Sequence, residues 1–172
     1  MELTPTTQKF VLHWGEMGAR WGVNRTVAQI HALLFLAEAP LHAEEIADTL
    51  GVARSNVSTS LKELQNWGLV KITHVMGDRR DHFQAQQEVW EIFQTIVDER
   101  RRREIDPTMT VLRECVLDLA DERQENTATA RKIKGVLDFL EQITQWLDEM
   151  KGISPETAKK LLQMGRKIQK FL

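Results

Sequence analysis

The sequence predicts a mostly α-helical chain interrupted by one small β-hairpin. Apolar residues recur at helical spacings of three and four along most of its 172 residues. Residues 69–75 are rich in β-branched side chains, a turn follows at Met76-Gly77-Asp78-Arg79, and residues 80–85 form the returning strand. Apolar residues make up 42% of the chain, which is enough for a sizeable core and excludes disorder throughout.

Two helices are predicted at the N-terminal end. Four large apolar side chains recur on one face of the first helix: Phe10, Trp14, Met17 and Trp21. Gly22 ends that helix, and Asn24 can cap a second one. Pro40 is expected to end the second helix, because a proline disfavours the helical conformation in the residue before it.

The stretch from residue 43 to residue 85 predicts a winged helix-turn-helix. Helices over residues 43–50 and 54–67 are separated by a turn at Gly51, and the hairpin follows as the wing. Ala47 is small enough to let the two helices cross, and Val52 can fill the space between them. Three apolar side chains anchor the second helix inward: Val57, Leu61 and Leu64.

The outer face of that second helix is small and polar, so it can enter the major groove of B-DNA without steric conflict. The candidate DNA-binding residues on it are Arg54, Ser55, Asn56, Ser58, Thr59 and Lys62. Asn56 can both donate to and accept from adenine. Arg79 and Arg80 are expected at the tip of the wing, from which they can reach a phosphate or the minor groove.

A winged-helix module that binds a protein partner and no DNA is the alternative interpretation. Residues 42–85 hold six acidic and five basic side chains, so the charge of this segment alone does not indicate a nucleic-acid ligand.

The segment EEIADTLGVARSNVSTSLKELQNWGLV, followed by GDRRDHF, resembles the MarR superfamily of winged-helix transcriptional regulators. The wing and the long C-terminal helices are more similar to its GbsR branch. The resemblance covers about residues 5–105 well and the C-terminal third weakly.

The resemblance implies a homodimeric repressor, with the N- and C-terminal helices at the interface and two recognition helices on a palindromic operator. It also implies a small-molecule effector, and choline is one that GbsR-type regulators of osmoprotectant genes sense. Ala53 and His42 depart from the pattern, since these helices often begin with Ser or Thr. Neither is expected to cap as well, at a cost of about 1 kcal/mol each.

The C-terminal third is predicted to be helical and to serve in dimerisation. Pro107 is expected to break the helix that begins near Val89, and a long apolar stripe covers residues 133–150. Ser154 and Pro155 predict the start of a last helix. We therefore divide the chain into a winged-helix domain at residues 1–105 and a helical dimerisation region at residues 106–172.

Two basic segments lie in this region. The simplest interpretation of the tract Arg100-Arg101-Arg102-Arg103 is a solvated, salt-bridged helix end, with phosphate contact or an ion pair between subunits as alternatives. The last helix carries five basic side chains beside apolar ones: Lys159, Lys160, Arg166, Lys167 and Lys170. An amphipathic arm packed on the partner subunit is favoured over a DNA-flanking contact or a site for another protein.

The five tryptophans suggest one further site. Trp14, Trp21 and Trp90 could help to form an aromatic cage for a quaternary ammonium effector. Packing in the core or at an interface is the simpler interpretation of each.

Several classes of function are disfavoured. The single cysteine, Cys115, cannot form an internal disulfide and is expected to be a small buried hydrophobe. No apolar run approaches the roughly 18 residues of a membrane span, and no secretory signal is visible, so a cytoplasmic location is expected. The histidines do not stand at metal-ligand spacings, and no catalytic motif is present. We expect no enzyme activity, no cofactor and no metal.

Overall fold

Eight α-helices and three short strands make up residues 3–123 and 127–168, which the computed structural model describes. The helices are α1 (Pro5–Arg20), α2 (Arg25–Leu36), α3 (Ala43–Leu50), α4 (Arg54–Asn66), α5 (Val89–Arg100), α6 (Asp106–Asp121), α7 (Ala128–Met150) and α8 (Pro155–Ile168). The strands are β1 (Leu41–His42), β2 (Val70–Thr73) and β3 (His82–Ala85). The predicted fold class, mostly helical with a small β wing, is confirmed.

The chain divides into two units, Met1–Ile96 and Val97–Leu172. The division into functional domains at residue 105 stays a prediction. None of the helices in the described part of the chain is long and apolar enough to cross a membrane.

Helices α1 and α2 cross closely because small residues lie where they meet. A Cβ atom placed on Gly18 would lie only 2.5 Å from the Cβ atom of Ala28. The predicted cap of α2 is confirmed, since Asn24 Oδ1 accepts a hydrogen bond from the Thr26 N–H at 2.8 Å. The predicted end at Pro40 is wrong: α2 ends at Leu36, where the next residue, Ala37, turns to extended backbone with ψ 130°.

Helices α3 and α4 form the predicted helix-turn-helix. Gly51 adopts the left-handed conformation that the turn needs, with φ 64°, and its N–H donates to the Ala47 carbonyl. Ala47 is buried at the crossing, Val57 has no exposed surface, and Val52 packs against the core.

His42 caps α3, although it was not expected to cap as well as Ser or Thr. Its Nδ1 accepts from the Glu45 N–H at 3.3 Å, and Glu45 Oε2 accepts from the His42 N–H at 3.0 Å. This reciprocal pair is a capping box in which the imidazole nitrogen replaces the usual hydroxyl. At α4 the expectation is confirmed, because the Ala53 side chain makes no capping hydrogen bond.

The wing belongs to a three-stranded antiparallel sheet of order β1-β3-β2, and not to a hairpin alone. Strand β1 was not predicted, because two residues are too short to show a pattern of their own. Its pairing depends on β3, where Leu41 lies opposite Phe83 and His42 opposite His82. This pairing ties the start of α3 to the base of the wing.

The core of the first unit lies among α2, α3, α4, α5 and the sheet. Its largest fully buried side chains are Ile30, Leu33, Leu34, Ile46, Leu61, Val11 and Val57. At about 25 cal/mol per Å² of apolar surface removed from water, this core is the main force that holds α4 and the wing in place.

In the second unit, the prediction that Pro107 breaks the helix is wrong, because the helical path continues through this residue. Helix α5 passes into a π-helical turn, Arg101–Ile105, and this turn continues directly into α6. A wider i→i+5 turn accommodates a proline, which has no N–H to donate and whose ring would clash with the carbonyl four residues earlier.

The arginine tract around this turn is salt-bridged within the chain, as predicted, but it is not the predicted helix end, because the helical path continues into α6. Glu99, only 7% exposed, accepts from the Nε atoms of Arg102 at 3.1 Å and Arg103 at 2.6 Å. These hydrogen bonds, that of Arg102 first, lower the pKa of Glu99. Arg101 Nη1 donates to Asp148 Oδ1 at 2.6 Å, so the π-helical turn is tied to the end of α7.

Helices α6 and α7 leave much of their apolar surface exposed. Cys115 is half-buried, so its expected burial is wrong, because a layer of two packed helices covers only one side of each. The cap of α8 is confirmed, since Ser154 Oγ accepts from the Thr157 N–H at 3.3 Å. Residues 169–172, with Lys170, and the side chains of Arg166 and Lys167 lie outside the described residues.

Candidate nucleic-acid interface

Helix α4 presents a polar outer face. It buries Val57, Leu61 and Leu64 against the core. Every contact residue predicted on this helix is exposed: Arg54, Ser55, Asn56, Ser58, Thr59 and Lys62. The Thr59 hydroxyl donates to the Ser55 carbonyl at 3.1 Å, so it is partly engaged by the helix backbone. These exposed side chains lie opposite the buried stripe of α4.

The tip of the wing differs from the prediction. The tip is Met76-Gly77, where Gly77 has φ 86° and the Asp78 N–H closes the turn on the Val75 carbonyl at 3.1 Å. Met76 is fully exposed at this tip. Arg79 and Arg80 follow on the returning arm, because the turn closes before them. Both side chains are exposed.

The two wing arginines have different surroundings. Within the described residues, Arg79 makes no ion pair or hydrogen bond, so its full charge faces solvent. Arg80 is held by Asp78, because its Nε donates to both carboxylate oxygens, at 2.9 and 3.0 Å, and its Nη2 also contacts Oδ2. The Arg80 backbone N–H donates to the same carboxylate at 3.0 Å.

These hydrogen bonds hold the pKa of Asp78 well below its usual range, with the Arg80 side chain as the largest cause. Asp78 is therefore ionised throughout the physiological range. His82, buried at the base of the wing, adds a second anchor, since its Nδ1 lies 3.0 Å from the Arg80 carbonyl oxygen.

Glu44 links the wing to the start of α4, and this link was not predicted from the sequence. Its Oε1 lies 2.8 Å from Arg54 Nη1, and its Oε2 lies 3.5 Å from Arg80 Nη1. Glu44 precedes Arg80 by more than thirty residues, and no spacing pattern connects the two. The contact between Asp78 and Arg80 could have been predicted from the sequence, because an acidic residue stands two positions before an arginine in a predicted turn.

An open groove of about 400 Å³ runs between α4 and the wing. Its lining residues are His42, Ala43, Glu44, Arg54, Ser58, Leu61, Lys62, Gln65, Ile72, Arg80, Asp81 and Phe83. Four of the predicted contact residues therefore line one concave surface: Arg54, Ser58, Lys62 and Arg80. The lining holds three basic side chains beside the acids Glu44 and Asp81, and basic side chains in a groove beside an exposed helix can contact a phosphate backbone.

Two buried histidines, His42 and His82, have their rings edge to face and 5.6 Å apart, and His42 also lines the groove. His82 Nε2 is 3.6 Å from Asp78 Oδ2. Across residues 3–123 and 127–168, no cluster of three or more His, Cys, Asp or Glu has the arrangement of a metal site.

The tryptophans proposed for an effector cage have separate surroundings. Trp14 stacks on Phe10 at 5.3 Å, and Trp90 stacks on Phe93 at 5.5 Å. The Trp90 indole N–H is buried without a hydrogen-bond partner in the described part of the chain. Trp21 is 58% exposed at the end of α1. A shared cage stays a prediction.

Residues 21–81 match the model of the MarR family. This segment begins just after α1 and runs through α4 into the wing as far as Asp81, so it contains every predicted DNA-contact residue of the candidate interface.

Two further comparisons agree with this match. The chain is 24% identical over 99 residues to the HTH-type transcriptional repressor GbsR of Bacillus subtilis (strain 168), and this covers 58% of the chain and 54% of that repressor. The chain thus spans about half the length of the curated relative it matches. A crystal structure of a transcriptional regulator superposes with a TM-score of 0.65 at 20% identity, over 84% of this chain and 95% of the other, which shows the same fold.

Proposed function

We propose that the protein is a sequence-specific DNA-binding transcriptional regulator of the MarR type that acts as a homodimer, since residues 21–81 match the model of that family. The observation that carries the proposal is the exposed polar face of α4 beside a wing with two exposed arginines. Helix α4 would enter the major groove, and Arg79 and Arg80 would bind the flanking phosphates or minor groove.

The roles on α4 follow from side-chain chemistry. Asn56 would read adenine, while Ser55, Ser58 and Thr59 would contact base edges or phosphates. Arg54 and Lys62, which lie at the groove, would contact the phosphate backbone. Base contacts would specify the site, and phosphate contacts would position the protein on it.

Exposed apolar surface in the second unit supports a homodimer. Six large side chains on α6 and α7 are between 38% and 66% exposed: Val111, Leu117, Val136, Phe139, Ile143 and Trp146. A stable dimer would bury such surface, and its two-fold symmetry would require a palindromic operator with half-sites about one helical turn apart.

We propose further that the regulator is a repressor that a small ligand releases from DNA. The resemblance to GbsR supports repression, and the ligand would be an osmoprotectant-related quaternary ammonium compound such as choline. Trp14, Trp21 and Trp90 remain the candidate binding residues, because aromatic faces attract such cations. The family and these relatives favour a regulator over an enzyme, and we propose no catalytic role.

Selection of bound sites from a random double-stranded DNA pool tests the proposal. Enrichment of a palindrome with half-sites about one turn apart would support sequence-specific binding by a dimer. A pool without enrichment, at both low and moderate salt, would refute it. A thermal-shift series with choline and a sugar osmolyte as control tests the ligand separately.

One observation favours the alternative function, a protein-binding winged helix. Arg54 and Arg80 are neutralised by Glu44 and Asp78 in the free protein, which reduces the attraction of this surface for DNA. A mobility-shift assay with random-sequence DNA at low salt separates the two functions, because a DNA-binding regulator retains non-specific affinity there.

A further inference from the structure

Four charged side chains at the groove cancel one another in the free protein. Arg54 and Arg80 carry two positive charges, and Glu44 and Asp78 carry two negative ones. By contrast, the side chains of Lys62, Lys71 and Arg79 are exposed and make no ion pair or hydrogen bond within the described residues.

The two acids contact the arginines differently. Asp78 also accepts the Arg80 backbone N–H, so it fixes the shape of the wing. The ion pairs of Glu44 in the described structure involve guanidinium groups only, at 2.8 Å from Arg54 Nη1 and 3.5 Å from Arg80 Nη1. Glu44 occupies the guanidinium nitrogens that a DNA phosphate would approach from the groove.

We propose that Glu44 competes with DNA phosphates for Arg54 and Arg80 and so limits the affinity of this protein for all DNA sequences. This inference rests on the proposed DNA-binding function. Ion pairs between exposed side chains are weak, and a phosphate can displace the carboxylate. Glu44 thus weakens phosphate contacts, while the base contacts of α4 are unaffected.

Glu44→Gln tests the inference, because glutamine keeps the shape of the side chain and removes its charge. We expect the variant to bind a selected operator and a scrambled duplex more tightly by the same factor, roughly three- to tenfold at about 0.1 M salt. The plot of log affinity against log salt should steepen by about one unit, since freed cations release more counterions from DNA.

Asp48→Asn is the matched control. Asp48 lies one turn further along α3, is exposed, and makes no ion pair within the described residues, yet its substitution changes the net charge equally. It should change affinity clearly less than Glu44→Gln does. In a protein in which Arg54 and Arg80 are both replaced by alanine, Glu44→Gln should change the DNA affinity no more than Asp48→Asn does. The guanidinium groups for which Glu44 and DNA would compete are then absent.

Three results would overturn the inference. Glu44→Gln could bind DNA more weakly than the parent, or raise the DNA affinity no more than Asp48→Asn does. It could also still raise the affinity when Arg54 and Arg80 are both alanine. Elution from a heparin column separates this inference from the proposed function. If the parent protein selects no DNA but Glu44→Gln elutes at higher salt than Asp48→Asn does, the proposed function is wrong, whereas the competition of Glu44 with a polyanion for Arg54 and Arg80 stands.

Discussion

Arg80 Nε lies 2.9 and 3.0 Å from the two carboxylate oxygens of Asp78, two residues earlier in the wing. With the hydrogen bond from the Arg80 N–H, this contact holds the returning arm of the wing in one conformation. The arginine that would bind the DNA flank is therefore positioned before DNA arrives.

Asp78→Ala should lower the affinity for every DNA sequence severalfold, because the loss of the contacts that position Arg80 and the returning arm outweighs the removal of one negative charge. The Arg80 amide proton should also exchange faster with solvent. Fluorescence anisotropy and hydrogen exchange measure the two effects. Asp81→Ala is the control, since this neighbouring acid makes no ion pair in the described structure. Equal affinity and exchange in parent and Asp78→Ala would contradict the prediction.

Asn56→Ala and Arg80→Ala should impair DNA binding in different ways. Loss of Asn56 should reduce the discrimination between operator and scrambled DNA by about 1–3 kcal/mol, because a bidentate base contact is lost. Loss of Arg80 should weaken binding to both duplexes alike and flatten the salt dependence. Anisotropy titrations at several salt concentrations measure both. If both variants bind the operator as tightly as the parent does, the assignment of Asn56 and Arg80 as contact residues is wrong.

His31 should make the protein less stable in mild acid. Burial lowers the pKa of this histidine from 6.5 to about 4, and its ring is 4% exposed beside Trp14. The folded state favours the neutral ring of His31. The contribution of this neutral ring to the free energy of unfolding is therefore fully present above pH 6.5 and is lost as the pH falls from 6.5 towards 4. The total loss is about 3 kcal/mol.

His31→Leu should remove this part of the pH dependence and leave stability at pH 7 unchanged or slightly raised, because a buried polar atom without a partner is replaced. Urea unfolding at pH 7.5 and pH 5 measures the difference. His13→Gln, at an exposed histidine of α1, should behave like the parent. An identical decline between the two pH values in His31→Leu and the parent would exclude the role of His31.

Gly18→Ala should destabilise the first unit by about 1–3 kcal/mol, since the added methyl group would lie 2.5 Å from the Ala28 Cβ. Gly135→Ala is the matched control in α7, where an added Cβ meets nothing within 4 Å. It should stabilise the protein by roughly 0.5–1 kcal/mol. Thermal unfolding of both variants measures the contrast. A Gly18→Ala variant as stable as the parent would show that α1 and α2 separate without cost.

Much of the fold could be predicted from local patterns. Gly51 ends α3, Asn24 caps α2, and the inward stripe of α4 follows from its helical spacing. Strand β1 and the continuous path through Pro107 could not be predicted in the same way. The first depends on pairing with a distant strand, and the second on a π-helical turn that no residue pattern marks.

The features of the candidate site also divide into those that the sequence determines and those that depend on tertiary packing. The sequence by itself determined which side chains of α4 face outward, because 3.6 residues per turn and the burial of Val57 and Leu61 leave one orientation. Only the tertiary structure decided that Glu44 reaches both Arg54 and Arg80 while Arg79 has no partner in the described chain. Helical periodicity is a local property of the backbone, whereas an ion pair across the groove depends on how α3, α4 and the wing pack together.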